Sequence, residues 1–244
     1  MQGNLLNKNK MNTKKQTTQQ EAIPKKHKPF EYEFLPEEPT MVEESFTNNG
    51  TVFLDHSKRY TYADYLTWLD DIRRELINGF IHIMSAPIRV HARLSTKLTM
   101  KIYSFIDKHK GLCQVYHAPF DVRLPVDGHK EDDEIYNVVQ PDICVICDLS
   151  KLDYRGCIGA PDLMVEVLSP STSKKDKTKK FYLYEKAGVR EYWIVDPDKK
   201  VLNTFILQPN GKYDKGTEYT SQQCAPMHIF EGLVIDLKEL FEEL

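Results

Sequence analysis

Residues 163–168 read Leu-Met-Val-Glu-Val-Leu, and residues 143–147 read Ile-Cys-Val-Ile-Cys directly after Asp142. Both stretches are short, rich in apolar and β-branched residues, and bounded by Pro, Asp or Ser, which is the pattern of β-strands. Each brings one carboxylate with it, Glu166 inside its run and Asp142 at the edge of the other. Burying two carboxylates among Ile143, Val145, Val165 and Val167 is costly unless something positive sits between them, and a magnesium ion would supply that charge.

Pro161-Asp162 also precedes Glu166, so two aspartates compete as its partner. Asp162 and Glu166 would lie on one strand face, four residues apart. At about 3.3 Å per residue they are separated by roughly 13 Å, too far to share an ion whose oxygen ligands lie near ~2.1 Å. Adjacent strands run about 4.8 Å apart, so Asp142 and Glu166 can converge on one metal if the loop between them sets the register. The other reading of these two acids is that both are strand-end residues facing water.

The surrounding pattern is mixed. Thr61-Tyr62-Ala63-Asp64 has the form of a capping box and predicts a short helix from Thr61. Arg74-Glu75-Leu76-Ile77 and Phe80-Ile81-His82-Ile83 flank Asn78-Gly79, the dipeptide suited to a two-residue hairpin. Val90, Leu94, Leu98, Ile102 and Ile106 recur every fourth position and predict an amphipathic helix over 90–110, ending before Gly111. Strands are expected over 114–124, 138–147 and 163–168, with the charged residues 127–134 as a solvated loop. Ser169-Pro170-Ser171-Thr172 breaks the pattern ahead of a polar helix over 173–187, stopped by Gly188. Tyr192-Trp193-Ile194-Val195 reads as a further strand, followed by one or two strands within 201–219 and a short helix over 237–244. On the polar helix Asp176, Lys180 and Tyr184 stand at intervals of four and share a face. Five lysines crowd residues 174–180, and at least three of them are expected to face away from any site.

Length sets the rest. A chain of 244 residues with 41% hydrophobic content can bury one substantial core. Residues 1–40 are Lys-, Gln-, Asn- and Pro-rich without apolar period, and read as a flexible tail ahead of a single domain over 41–244. The net charge of −3 and pI near 6.3 mean that any nucleic-acid contact must use local basic patches. Five cysteines, an odd number, argue against a secreted disulfide framework and fit a reducing compartment. Cys144 and Cys147 form a lone C-x-x-C and read as small apolar strand residues. Neither a membrane span nor a signal peptide is present, so a cytoplasmic location is expected.

Several of these blocks are familiar together. Glu75-Leu76-Ile77-Asn78-Gly79, His91, Ala118 through Leu124, Gln140-Pro141-Asp142, the stretch Gly159 through Thr172, Asp176, Lys180, Tyr184 and Glu191 through Pro197 resemble the Uma-two family of endonucleases, from about Tyr60 onward. That family is similar to the PD-(D/E)xK nucleases. The resemblance implies an α/β (α+β) restriction-endonuclease-like fold, a mixed central sheet flanked by helices with an N-terminal hairpin. Asp142 matches the first acid of the nuclease motif and Glu166 the second. Leu168 stands where the superfamily usually has its lysine, and the resemblance places a substitute at Lys180. Glu75 matches an acid able to hold a second metal or its water; taken alone it reads as a surface strand residue. His91 matches a recurrent position near the start of its helix and could contact a phosphate; taken alone it reads as a capping or packing histidine.

The resemblance implies Mg²⁺ or Mn²⁺ held by Asp142, Glu166 and the Val167 carbonyl, with Lys180 orienting the attacking water and balancing charge. The implied substrate is nucleic acid, DNA foremost, cut at phosphodiester bonds, and such folds are often homodimers. The missing lysine and the acidic pI favour a rival: a catalytically inactive nucleic-acid- or protein-binding module on the same fold.

Overall fold

The computed structural model describes residues 42–47, 50–169 and 173–242, and the tail expected over 1–40 lies outside them. Strands β1 (Val42–Thr47) and β2 (Gly50–Asp55) form an antiparallel hairpin of their own, which sequence patterning did not announce. Helix α1 (Tyr62–Tyr65) starts with the expected capping box: the Thr61 hydroxyl accepts from the Asp64 N–H and the Asp64 carboxylate accepts from the Thr61 N–H. Strands β3 (Arg74–Ile77) and β4 (Phe80–Ile83) pair across Asn78 and Gly79. These two turn residues have φ of 53° and 84°, the paired positive angles that a tight hairpin demands. Helix α2 (Arg89–Lys108) buries Leu94, Leu98, Ile102 and Ile106, the stripe its period predicts.

The stretch expected as one strand over 114–124 is two, β5 (Gln114–His117) and β6 (Asp121–Arg123). Residues 138–147 are likewise divided into β7 (Val138–Val139) and β8 (Ile143–Ile146). Each break falls at a proline, Pro119 and Pro141, which has no N–H to give to a ladder. The halves then join different sheets. Strands β9 (Leu152–Asp153), β10 (Gly156–Ile158) and β11 (Leu163–Val167) follow.

The polar helix spans the expected residues but changes pitch. It begins as α3 (Ser173–Lys175), passes through a π-helical turn (Asp176–Lys180) and ends as α4 (Phe181–Ala187) before Gly188. Strands β12 (Glu191–Asp196), β13 (Val201–Ile206), β14 (Thr217–Thr220), β15 (Cys224–Pro226) and β16 (Val234–Asp236) lead to α5 (Leu237–Leu240). That last helix is shorter than expected and is capped by the Asp236 carboxylate.

Two six-stranded sheets organise the chain. The central one has the order β14-β13-β12-β11-β8-β5 and is mixed, since β11 and β12 run parallel while the other pairs are antiparallel. The second has the order β4-β3-β7-β6-β10-β9. Leu163, Val165, Val167 and Trp193 on one face of the central sheet pack with α2 and α5. On the opposite face Met164, Tyr192 and Ile194 pack with α4 residues and with Val122 and Val139 of the second sheet. Burial on both faces accounts for the largely apolar runs of β8, β11 and β12, in which Glu166 is the charge that interrupts β11.

Cys113 and Cys147 are joined by a disulfide, which corrects the reading of Cys147 as a simple apolar strand residue and of the cysteines as all reduced. The register explains the contact: Gln114 pairs with Ile146, so 113 and 147 oppose each other one step beyond the ladder. Cys144 is buried and free. Among the described residues no helix is long and apolar enough to cross a membrane.

Candidate functional site

Along β11 the side chains alternate, so Val165 and Val167 face α2 while Glu166 points to the side of the segment 173–187. There it meets two donors. Lys180 Nζ lies 2.8 Å from Glu166 Oε1, and the Tyr184 hydroxyl donates to the same oxygen at 2.7 Å. Lys180 Nζ is also 2.8 Å from Glu75 Oε1 and 3.6 Å from Asp176 Oδ1. The shared face expected for Asp176, Lys180 and Tyr184 is present, and all three are buried.

Glu75 arrives from the second sheet. It is fully buried, which corrects its reading as a surface strand residue, and its neighbours show why burial is tolerated. Oε1 accepts the Gln140 N–H at 3.0 Å and Oε2 stands 2.6 Å from Lys175 Nζ. A buried carboxylate with two ammonium partners and a backbone donor is satisfied.

Asp142 stands just ahead of β8. The β8–β11 ladder stops at Ile143 opposite Val165, and beyond it the Asp142 carboxylate takes the Val167 N–H on Oδ2 at 2.7 Å. His91 Nε2, from the first turn of α2, lies 3.0 Å from that same oxygen. His91 is therefore placed on Asp142. The second oxygens, Asp142 Oδ1 and Glu166 Oε2, take no hydrogen bond among the described residues. Both acids line a cleft of about 330 Å³, with Arg73, Ile88, His91, His117 and Lys175 among its walls. Asp162 is elsewhere: it accepts the Cys147 N–H at 2.7 Å and pairs with Arg190 at 2.8 Å.

Four acids, Glu75, Asp142, Glu166 and Asp176, thus share the neighbourhood with two ammonium groups, Lys175 and Lys180. Burial pushes the Glu75 carboxyl up, but Lys180 and Lys175 outweigh it and bring it down to about 2. Burial also pushes Glu166 up, and here Asp176, Asp142 and Glu75 add to it, so that it ends well above the usual carboxylate range despite Lys180. Burial alone would lower Lys180, yet Glu166, Glu75 and Asp176 hold it well above its ordinary value. The cluster is short of positive charge.

Among the described residues no three His, Cys, Asp or Glu side chains gather as a ready metal site. The donor set suits a hard divalent cation all the same. Asp142 and Glu166 line one cleft and each keep an uncommitted oxygen, and the local charge deficit favours a cation.

Sequence reasoning missed Lys175 and Gln140. Lys175 is hidden in its run of lysines, because an ideal helical period does not bring residues five apart together, whereas a π turn does. Gln140 acts through its main-chain N–H, which leaves no mark in residue type.

The model of the family described as "Putative restriction endonuclease", Uma2, matches residues 62–238. The chain is 29% identical over 153 residues to the uncharacterized protein slr1290 of Synechocystis sp., covering 62% of this chain and 75% of that protein. Its fold is similar to the crystal structure of a "putative nuclease belonging to DUF820" from Anabaena variabilis. That match has a TM-score of 0.60 and 21% identity, over 74% of this chain and 97% of the other. The fold is the mixed α+β, restriction-endonuclease-like one, and the chain belongs to the Uma2 family.

Proposed function

We propose that this protein is a metal-dependent endonuclease that hydrolyses phosphodiester bonds of DNA. The observation that carries the reading is the convergence of Asp142 and Glu166 on one cleft from adjacent strands, with the buried ammonium of Lys180 beside Glu166. Asp142, Glu166 and the Val167 carbonyl would hold Mg²⁺ or Mn²⁺. When bound, such an ion supplies Lewis-acid polarisation of the phosphate and an activated water.

The chain's own residues do the positioning. The Val167 N–H and His91 fix Asp142 through Oδ2 and leave Oδ1 to the cleft. Tyr184 and Lys180 do the same for Glu166 through Oε1. Glu75 anchors Lys180 from the second sheet, so the ammonium stays beside Glu166 and holds that carboxylate in place.

The test is cleavage of plasmid and single-stranded DNA with Mg²⁺ or Mn²⁺ by the wild type, Asp142→Ala and Glu166→Ala. Activity confined to the wild type is expected; equal activity in all three would sink the metal-site assignment. One observation favours a second reading, a non-catalytic binding module: Lys180 already lies between Glu75 and Glu166, supplying part of the positive charge that the acids require. Calorimetric Mn²⁺ binding that is lost in Glu166→Ala supports the enzyme. DNA binding with no metal requirement and no cleavage supports the module.

A further inference from the structure

Two ammonium groups stand at the site, and their surroundings differ. Lys180 Nζ has three N–H donors and three carboxylates around it: Glu75 Oε1 and Glu166 Oε1 at 2.8 Å and Asp176 Oδ1 at 3.6 Å. Its side chain is 2% exposed. Lys180 also lines the cleft, but two of its donors are engaged at 2.8 Å by Glu75 and Glu166 and Asp176 stands beside the third, so this nearly buried group is held by the protein's own acids.

Lys175 Nζ is committed to one carboxylate oxygen, Glu75 Oε2 at 2.6 Å. Two donors remain. The residue lines the cleft shared by Asp142 and Glu166, and its side chain is 13% exposed. The Glu75 carboxylate anchors the ammonium without closing it off, because Glu75 itself is fully buried behind it. Arg73 lines the same cleft, its guanidinium held by two hydrogen bonds to Gln140 Oε1 at 3.0 and 2.8 Å. The cleft therefore has carboxylates beside basic groups that are pre-positioned by their partners, a surface complementary to an anion accompanied by a cation.

We infer that Lys175 is the ammonium that contacts a backbone phosphate of the nucleic-acid substrate, while Lys180 is a positioning residue that never leaves its acids. This rests on the nuclease reading above, and it divides between two lysines the tasks of touching the phosphate and of holding the acids. The division has a thermodynamic signature. Loss of a phosphate contact weakens binding to all sequences alike and lowers the slope of log affinity against log salt by about one.

The experiment is fluorescence anisotropy of a labelled oligonucleotide across a salt series without divalent metal, beside cleavage assays with Mn²⁺. The proteins are the wild type, Lys175→Gln, Lys175→Arg and Lys186→Gln, the last altering an exposed lysine paired with Asp127 away from the cleft. Expected are about tenfold weaker binding for Lys175→Gln, a salt slope reduced by about one, recovery in Lys175→Arg and no change in Lys186→Gln. A second measurement needs no variant: amine acylation of the wild type, read by mass spectrometry, should label Lys175 and lose that label when oligonucleotide is added. Wild-type binding and cleavage with an unaltered Lys175→Gln overturn the inference and leave the nuclease reading standing. Lys175 unlabelled in the free chain, or labelled equally with oligonucleotide present, also overturns it. A wild type that neither binds nor cuts nucleic acid overturns both.

Discussion

Replacing Lys180 by Met leaves Glu75, Glu166 and Asp176 facing one another where each is nearly excluded from water. Removing one partner of a buried ionic cluster costs about 3–5 kcal/mol, so Lys180→Met is expected to lower the midpoint of urea unfolding by that equivalent. His82 gives a separate handle. Burial, reinforced by Lys179 and Lys175, holds its imidazole down at about 4 against an ordinary 6.5. A base depressed in the folded state contributes stability that is full above pH 6.5 and is lost as pH falls toward 4. The loss is at most about 3 kcal/mol and smaller in practice, because the ring is partly exposed. Glu75 is depressed too, but its contribution is lost only below the ordinary carboxylate value of 4.5. Glu166, held well above the usual carboxylate range, acts in the opposite sense as pH rises from 4.5. The histidine's share is therefore read as the difference between thermal melts of the wild type and of His82→Leu, the variant losing the part of the fall toward low pH that His82 contributes. At this scale the sequence was legible where a charge interrupted an apolar run, as at Glu166. Glu75 was not, because in Arg-Glu-Leu-Ile it follows another charged residue at the start of the strand with no apolar run around it, and only the arrival of Lys175 and Lys180 from 100 or more residues away explains its burial.

Elements were legible where a single period governed them. Helix α2 keeps its stripe throughout and was placed to within two residues of its observed end. The strands over 114–124 and 138–147 were each merged from two, because Pro119 and Pro141 carry no apolar signature and a change of sheet has no period. Short elements also depend on single backbone contacts. Gly156 sits in β10 at φ 138°, and a Cβ there would collide with the Asp121 carbonyl oxygen across the β6–β10 pairing. Gly156→Ala is expected to cost more than about 2 kcal/mol, combining the strained angle with a displaced strand. Its check is the midpoint of chemical unfolding.

For the whole molecule, a metal that binds only the folded chain must raise its stability by mass action. Mn²⁺ at 100 times its dissociation constant should add about 2.7 kcal/mol to the wild type, read as a higher melting temperature, and nothing to Asp142→Ala. The four acids and two lysines that make this possible belong to both sheets and to the helical segment after β11. Because the chain passes from the second sheet to the central one between β7 and β8, at Gln140-Pro141-Asp142, Glu75 bonded to Gln140 and Asp142 bonded to Val167 stand on either side of that crossing, and the cluster is complete only when both sheets are in place. Glu166 and Lys180 come later still in the order of synthesis. A chain emerging from the ribosome therefore carries no assembled charge cluster until residue 180 has been made and folded back onto residue 75, and a truncated product ending earlier is chemically silent at this site.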